Sequence, residues 1–214
     1  MIPTNAVAGV RLVVLSAGFS ARLGSPKALA GIRGVTLLRR TVRTVAPLAA
    51  ARVLVVLPPR AVRARAELRG ERVDVAVSAR RSQGLSASVR AGLFRARYSA
   101  AVLILPVDLP WLECREIARL IARWRLSRRS VVARRVGERA GTPLVLPRRL
   151  YAQAQRIGGD LGLRNLVNGL PADELELLDV PSAALDVDTP EDLRLARRRL
   201  RGFKSGCRQG RCGG

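Results

Sequence analysis

The sequence reads RLVVLSAGFSARLGSPK from Arg11 to Lys27, and this stretch indicates the fold most clearly. After Arg11, the residues Leu12 to Leu15 are an apolar run of the length of a short buried strand. The glycine-rich segment from Ser16 to Lys27 follows directly, and its backbone N–H groups can approach phosphate oxygens closely. Arg22 and Lys27 bring two positive charges to the same segment. We therefore expect a strand that ends in a phosphate-binding loop.

Two common nucleotide-binding motifs are excluded at this loop. Gly24 is followed by Ser-Pro-Lys, so the Gly-Lys-Ser/Thr of a Walker A motif is missing. The spacing from Gly18 to Gly24 does not match the dinucleotide-binding fingerprint either. A P-loop hydrolase and a Rossmann dehydrogenase are thus disfavoured. The alternative interpretation is that both glycines only shape a turn and that the cations are surface charges.

Short apolar runs alternate with segments of helical period along the rest of the chain. The expected strands are Arg11–Leu15, Arg52–Leu57, Val73–Val77, Ala101–Leu105 and Ser130–Ala133, and the expected helices are Val35–Val45, Ser86–Ala96, Glu113–Trp124 and Pro190–Arg201. This alternation predicts βαβ units and a mainly parallel sheet. The length of 214 residues suits one domain, which we place at residues 1–201. Residues 202–214 form a basic, glycine-rich tail that we expect to be disordered.

The charge is strongly positive, with 39 Lys and Arg against 16 Asp and Glu. Such a balance suits a nucleic-acid binder or an enzyme that attracts small polyphosphates. It also fits arginines spread over ordinary solvated helix faces. Aromatic residues, which single-strand binders use for base stacking, make up only 3% of the chain. Nucleic acid is therefore the less favoured partner.

Histidine is absent, which excludes His-based acid/base catalysis, Ser-His-Asp triads and His metal ligands. Any metal must then be held mainly by oxygen. Cys207 and Cys212 stand four residues apart in the tail, but a zinc site needs more ligands, so we interpret the tail as free of metal. No apolar stretch reaches the roughly 20 residues of a membrane span, and no signal peptide is evident. We expect a cytoplasmic protein.

Six ordered segments between about residue 11 and residue 200 resemble the MobA-like nucleotidyltransferases, and within them the molybdenum cofactor cytidylyltransferases. These segments are LSAGFSARLGSPK (15–27), GLSASVRAGL (84–93), VDLP (107–110), GTPLVL (141–146), GDLGLR (159–164) and LDVDTPEDL (185–193). Three positions depart from the family pattern: Ser16 replaces Ala, Leu109 replaces Gln and Thr142 replaces His. The resemblance implies a single-domain, three-layer Rossmann-like nucleotidyltransferase fold with a mainly parallel sheet.

Asp108 follows the apolar run Ala101–Leu105, so it should lie at the carboxyl end of the sheet, where open α/β sheets bind ligands. A carboxylate there can hold Mg²⁺, together with Asp186 or Asp188. The resemblance implies the same pairing. The alternatives are a helix cap for Asp108 and a turn or cap before Pro190 for the other two. The sequence does not separate Asp186 from Asp188.

The resemblance also implies a mechanism, in which an acceptor phosphate attacks the α-phosphorus of a nucleoside triphosphate and pyrophosphate leaves. Lys27 would stabilise the α-phosphate region and Arg22 would hold the β- and γ-phosphates as the catalytic pair. The residues expected to contact the nucleotide are Ala17, Gly18, Ser20, Gly24, Ser86 and Ser88. Helix capping is the alternative role of the two serines near the expected start of a helix.

Ala17 matches the cytidylyl-transferring members, whereas guanylyl-transferring ones usually have Gly there, so CTP is expected and GTP is the alternative. The implied acceptor is molybdopterin carrying molybdenum, and a xanthine-dehydrogenase-type molybdoenzyme or its chaperone would receive the product. Other phosphorylated acceptors remain open because of Leu109 and Thr142. A basic nucleic-acid-binding protein and a catalytically inactive regulator are the alternatives from other classes.

Overall fold

A computed structural model of the chain describes residues 9–17, 23–78, 84–159 and 161–202. The strands are β1 (Val10–Leu15), β2 (Gly31–Ile32), β3 (Val35–Thr36), β4 (Val53–Leu57), β5 (Val73–Val77), β6 (Ala101–Pro106), β7 (Val131–Val136), β8 (Arg139–Pro147) and β9 (Leu175–Leu178). The helices are α1 (Leu37–Val45), α2 (Val62–Glu67), α3 (Gly84–Arg95), α4 (Cys114–Ser127), α5 (Tyr151–Ala154), α6 (Gly162–Asn168) and α7 (Pro190–Gly202). None of the helices in the described ranges is long and apolar enough to cross a membrane.

The described residues form a seven-stranded sheet in the order β5-β4-β1-β6-β8-β7-β9. Strands β5, β4, β1 and β6 are parallel neighbours, and β7 and β9 pair in parallel. Only β8, among the strands of this sheet, runs antiparallel to its neighbours β6 and β7. The prediction of a mainly parallel α/β sheet in a single domain is therefore confirmed.

The sheet is the middle of three layers. Leu12 and Val14 of β1 pack in one core with residues of α1, α2 and α4, whereas Val13 and Leu15 pack in a second core with residues of α3, α5 and α6. Both faces of the sheet are thus buried, which explains why its central strands are continuous apolar runs without polar alternation. The second core is tight at Gly92, where an added Cβ would lie 2.8 Å from a methyl group of Val13.

The expected start of α1 was wrong. Val35 and Thr36 belong to the small hairpin β2-β3, whose turn is made by Arg33 and Gly34 with φ of 53° and 74°. The helix begins only at Leu37, and the hydroxyl oxygen of Thr36 accepts a hydrogen bond from the backbone N–H of Arg39 at 3.3 Å. Leu37, Ile32 in the hairpin and Ala196 in α7 belong to a third, smaller apolar cluster. This cluster packs α7 against the β2-β3 hairpin.

Candidate functional site

The candidate site lies at the carboxyl ends of β1 and β6, which are adjacent parallel strands. Lys27 lies beyond the end of β1 in a short 3₁₀ turn, Lys27–Leu29. Asp108 comes two residues after β6, as the sequence predicted. Asp188 comes two residues before α7. A backbone hydrogen bond of 2.9 Å from the N–H of Val187 to the carbonyl oxygen of Asp108 joins the two acidic segments.

Lys27 is the centre of the site. Its ammonium nitrogen donates to Oδ2 of Asp108 at 3.0 Å and also to Oδ1 of Asp188. The side chains of Lys27 and Asp108 are only 17% and 19% exposed, so water screens this ion pair weakly. Burial by itself lowers the pKa of Lys27, but the two carboxylates outweigh burial and raise its pKa above the ordinary value. The ammonium is therefore charged at neutral pH.

Asp186 has a different partner from Asp188. Its Oδ1 lies 3.5 Å from a guanidinium nitrogen of Arg134, which also donates to the carbonyl oxygen of Thr142 at 3.4 Å. Burial and the negative charges of Asp108 and Asp188 raise the pKa of Asp186, although Arg134 opposes this shift. Asp186 therefore lies close enough to Asp108 and Asp188 for their charges to act on its carboxylate.

Arg134 was missed by sequence reasoning. It lies just beyond the predicted strand Ser130–Ala133, and β7 in fact continues to Val136 after an irregularity in its pairing with β8 between Ala133 and Arg134. Its guanidinium is largely buried, with 13% of the side chain exposed. The position immediately after a buried strand was the available signal, but it did not show that the arginine would face an acidic segment.

The structure does not support helix capping by Asp108 or Asp188. The helix after Asp108 begins at Cys114, and its N-cap is Glu113. At α7, the N–H of Asp192 donates to the hydroxyl of Thr189 at 3.1 Å, and a carboxylate oxygen of Asp192 accepts from the N–H of Thr189 at 2.8 Å. This reciprocal pair is a capping box. The carboxylates of Asp108 and Asp188 instead bind Lys27.

A cavity of about 360 Å³ opens beside Lys27. Its lining includes Ser16, Lys27 and Asp108, together with Leu85 at the start of α3 and the segment from Pro58 to Ala64 after β4. A volume of this size is typical of small-molecule sites, which range from about 300 to 1,000 Å³. The cavity therefore connects the segment that resembles a nucleotide-binding loop with the acidic residue after β6.

Ser86 and Ser88 lie inside α3, because the helix begins at Gly84 and not at Ser86 as predicted. Both side chains are buried, at 1% exposure each. The hydroxyl of Ser86 donates to the carbonyl oxygen of Gly159, which joins α3 to the segment before α6. The hydroxyl of Ser88 has no hydrogen-bond partner among the described residues. Neither serine caps the helix, so their predicted contact with the nucleotide stays a prediction.

Part of the predicted loop lies outside the described residues. Gly18, Ser20 and Arg22 are in this part of the chain, and so are Cys207 and Cys212 of the tail. Of the other loop residues, Ala17 is buried at 5% exposure. Gly24 has a φ of 70°, which favours glycine, and open space around the position of a Cβ.

The donor chemistry around Lys27 fits a hard divalent cation, since Asp108, Asp186 and Asp188 provide carboxylate oxygens from two joined segments. Within residues 9–17, 23–78, 84–159 and 161–202, no three acidic or cysteine side chains converge as a ready ligand cluster. The two carboxylates that bind Lys27 are those of Asp108 and Asp188. This pair is the better candidate for a cation that replaces or joins the ammonium.

A seven-stranded α/β sheet with a charged lysine held between two carboxylates, at the carboxyl edge where open sheets bind ligands, defines the class of this protein as an α/β protein with a polar site at that edge. The chain belongs to the family of the MobA-like NTP transferase domain, whose sequence model matches residues 12–175. It is therefore a nucleotidyltransferase of the MobA-like superfamily, as the six ordered segments predicted. No curated protein matches the chain.

Solved structures share the fold over most of the chain. Rv0371c from Mycobacterium tuberculosis H37Rv is similar with a TM-score of 0.72 and 27% identity, over 88% of this chain and 98% of that one. A structure of Rv0371c in complex with manganese gives a TM-score of 0.69 and 26% identity, over 88% and 98%. A nucleotidyl transferase from Methanothermobacter has a TM-score of 0.74 at 24% identity, over 90% and 98%, and this likeness shows the fold alone.

Proposed function

We propose that this nucleotidyltransferase moves a nucleoside monophosphate from CTP to the terminal phosphate of the molybdenum cofactor and releases pyrophosphate. The observation that carries the proposal is the ammonium group of Lys27, which is held between Asp108 and Asp188 beside the cavity at the end of β1. The ammonium group can bind phosphate oxygens, and the two carboxylates can bind a divalent cation. Membership of the MobA-like family supports transfer of a nucleotide.

The proposed reaction needs alignment and charge neutralisation and no covalent enzyme intermediate. An oxygen of the acceptor phosphate forms a bond to the α-phosphorus, and the bond from the α-phosphorus to the bridging oxygen of pyrophosphate breaks. Lys27 offsets the negative charge that develops on the α-phosphate oxygens. Arg22, in the same glycine-containing segment, holds the β- and γ-phosphates. A chain without histidine can supply these functions.

Mg²⁺ is the proposed metal, and Asp108 and Asp188 are its proposed ligands. When bound, the ion would offset the charge of the phosphate oxygens and help to orient them. The manganese in the Rv0371c structure supports a divalent cation in proteins of this fold. Asp186 is the less favoured ligand because its carboxylate faces Arg134, whereas those of Asp108 and Asp188 meet at Lys27. Lys27 must move away from one carboxylate, or share it, when the ion binds.

CTP is the proposed nucleotide, with GTP as the alternative. Ala17 is the residue that supports cytidine, and Gly18, Ser20 and Gly24 would provide close backbone contacts to the nucleotide. Ser86 and Ser88 lie near the start of α3, whose residue Leu85 lines the cavity. Their hydroxyl groups are the proposed contacts to the base and the ribose.

Molybdopterin is the proposed acceptor, and a xanthine-dehydrogenase-type enzyme or its chaperone is the proposed recipient of the product. Two departures from the family pattern bear on this choice. Leu109 is buried at 2% exposure, so it packs in the core where the family has a polar Gln. Thr142, in place of His, contributes its carbonyl oxygen to the hydrogen bond with Arg134. A related phosphorylated acceptor is the alternative.

The test is a matrix of the four nucleoside triphosphates with Mg²⁺, each with and without molybdenum cofactor, in which pyrophosphate is quantified and the product is identified by mass. We expect pyrophosphate and a cytosine dinucleotide only when CTP and the cofactor are both present. A guanine dinucleotide would show that the donor is GTP and not CTP, and the class of reaction would stay as proposed. Absence of pyrophosphate with all four triphosphates, combined with DNA binding that CTP does not displace, would favour the nucleic-acid-binding alternative.

A further inference from the structure

Two arginines outside the glycine-rich segment Ser16–Lys27 line the same cavity as Lys27 and Asp108. Arg60 lies in the segment between β4 and α2, Arg63 lies in the first turn of α2, and both are exposed. Strand β4 is the parallel neighbour of β1, so this segment also lies at the carboxyl edge of the sheet. The charged residues of the cavity lining are thus three cations and one carboxylate.

The charge of Lys27 is already balanced, because Asp108 and Asp188 both bind its ammonium group. Arg60 and Arg63, by contrast, have no carboxylate partner within the described part of the chain. Glu67, four residues after Arg63 in α2, accepts a hydrogen bond from the hydroxyl of Thr36 at 2.9 Å, and the two acidic residues that follow this helix pair with other arginines. Glu71 pairs with Arg39 and Arg43, and Asp74 pairs with Arg11 and Arg52. Arg60 and Arg63 therefore supply the uncompensated positive charge of the cavity.

The backbone at Arg60 is also unusual. Its φ is 56°, a left-handed conformation that costs a non-glycine residue about 1 to 2 kcal/mol. Of the other described non-glycine residues with positive φ, Arg33 makes the β2-β3 turn and Arg128 is the C-cap of α4. Asparagine or glycine would suit the turn at Arg60 better, so the arginine side chain has no conformational reason to be there. Strained residues of this kind are often found at binding sites.

We propose that Arg60 and Arg63 form a second phosphate-binding element, which holds the pyrophosphate portion of the nucleoside triphosphate. This element is separate in sequence from the glycine-rich segment Ser16–Lys27. The proposal rests on the proposed function and adds the residues that bind the leaving group. Guanidinium groups bind phosphate oxygens through two parallel hydrogen bonds, which suits a polyphosphate with several negative charges. The acceptor also carries a phosphate, so the experiment must distinguish the two sources.

The experiment measures the binding of inorganic pyrophosphate by isothermal titration calorimetry, in the presence of Mg²⁺ and at fixed ionic strength. The variants are Arg60→Gln, Arg63→Gln and the double variant. Arg65→Gln is the matched control, because Arg65 lies in the same helix, has the same charge and does not line the cavity. We expect the double variant to bind pyrophosphate about tenfold more weakly or worse, as charge-assisted hydrogen bonds are lost. The control should bind like the wild type.

Steady-state kinetics then separates the two phosphate sources. We expect the KM for the triphosphate to rise in the double variant while the KM for the acceptor stays unchanged. Wild-type pyrophosphate affinity in the double variant, or a rise confined to the acceptor KM, would overturn the inference. Equal losses in Arg65→Gln would do the same, since they would show a general effect of net charge. Pyrophosphate binding tests these arginines even if the wild type transfers no nucleotide, an outcome that would refute only the proposed function.

Discussion

Lys27→Met tests the central ion pair most directly, because it removes the positive charge and keeps the apolar part of the side chain. At 3.0 Å, the attraction between Lys27 and Asp108 is about 5 kcal/mol at an effective dielectric constant of about 20. Desolvation of both groups cancels most of this energy, and a net value of about 1.5 to 3 kcal/mol is typical of charged hydrogen bonds. The variant should therefore unfold at a lower temperature than the wild type.

The same substitution should strengthen metal binding in the absence of nucleotide. Lys27 and a divalent cation compete for the carboxylate oxygens of Asp108 and Asp188, so removal of the ammonium releases both ligands. If about half of the net ion-pair energy is recovered, the affinity for Mn²⁺ rises about 4- to 12-fold. Nucleotide transfer should nevertheless fall by orders of magnitude, because the charge that stabilises the α-phosphate is lost.

The assay is a calorimetric or paramagnetic titration with Mn²⁺, combined with thermal unfolding at saturating and at zero metal. Mn²⁺ should restore more stability to Lys27→Met than to the wild type, and Lys27→Arg, which keeps the charge, should resemble the wild type in metal affinity. Equal or weaker Mn²⁺ affinity in Lys27→Met, with the fold intact, would refute the proposed competition. Unchanged turnover would refute the role of Lys27 in catalysis.

Three further predictions follow from individual contacts. Asp188→Asn should raise the Mg²⁺ concentration needed for half-maximal turnover more than Asp186→Asn does, because Asp188 and Asp108 both bind Lys27. The reverse order in a Mg²⁺ titration would assign the ligand to Asp186. Gly92→Ala should lower the free energy of unfolding by about 1 to 3 kcal/mol in a urea titration, because the new methyl group would lie 2.8 Å from a methyl group of Val13. An unchanged free energy of unfolding would show that the core can shift there. Burial raises the pKa of Glu116 above 4.5, so its ionised form destabilises the fold once the pH exceeds that ordinary value. The Tm of Glu116→Gln minus the Tm of the wild type should thus be more positive at pH 7 than at pH 4. A difference that does not change with pH would contradict this pKa shift.

The sequence by itself determined the parallel half of the sheet. β1, β4, β5 and β6 were predicted within one residue at each end. The central strands β1, β4 and β6 are buried on both faces, so they are nearly continuous apolar runs that stand out from amphipathic helices. The antiparallel strand β8 and the edge strand β9 were not predicted. Arg139–Pro147 contains Gly and Pro at positions that resemble a loop, and only pairing with β6 and β7 makes it a strand.

The candidate site was likewise predicted only in part from the sequence. The sequence predicted Asp108 because it follows an apolar strand, and Lys27 because it brings a positive charge to the glycine-rich segment after β1. Parallel strands bring both segments to one edge of the sheet. It did not separate Asp186 from Asp188, which are two residues apart in an irregular segment. That distinction depends on contacts between residues far apart in sequence, with Lys27 binding Asp188 and Arg134 facing Asp186. Local pattern determines which residues reach the edge of the sheet, whereas the pairing of their charges is decided only when the packed layers bring the segments together.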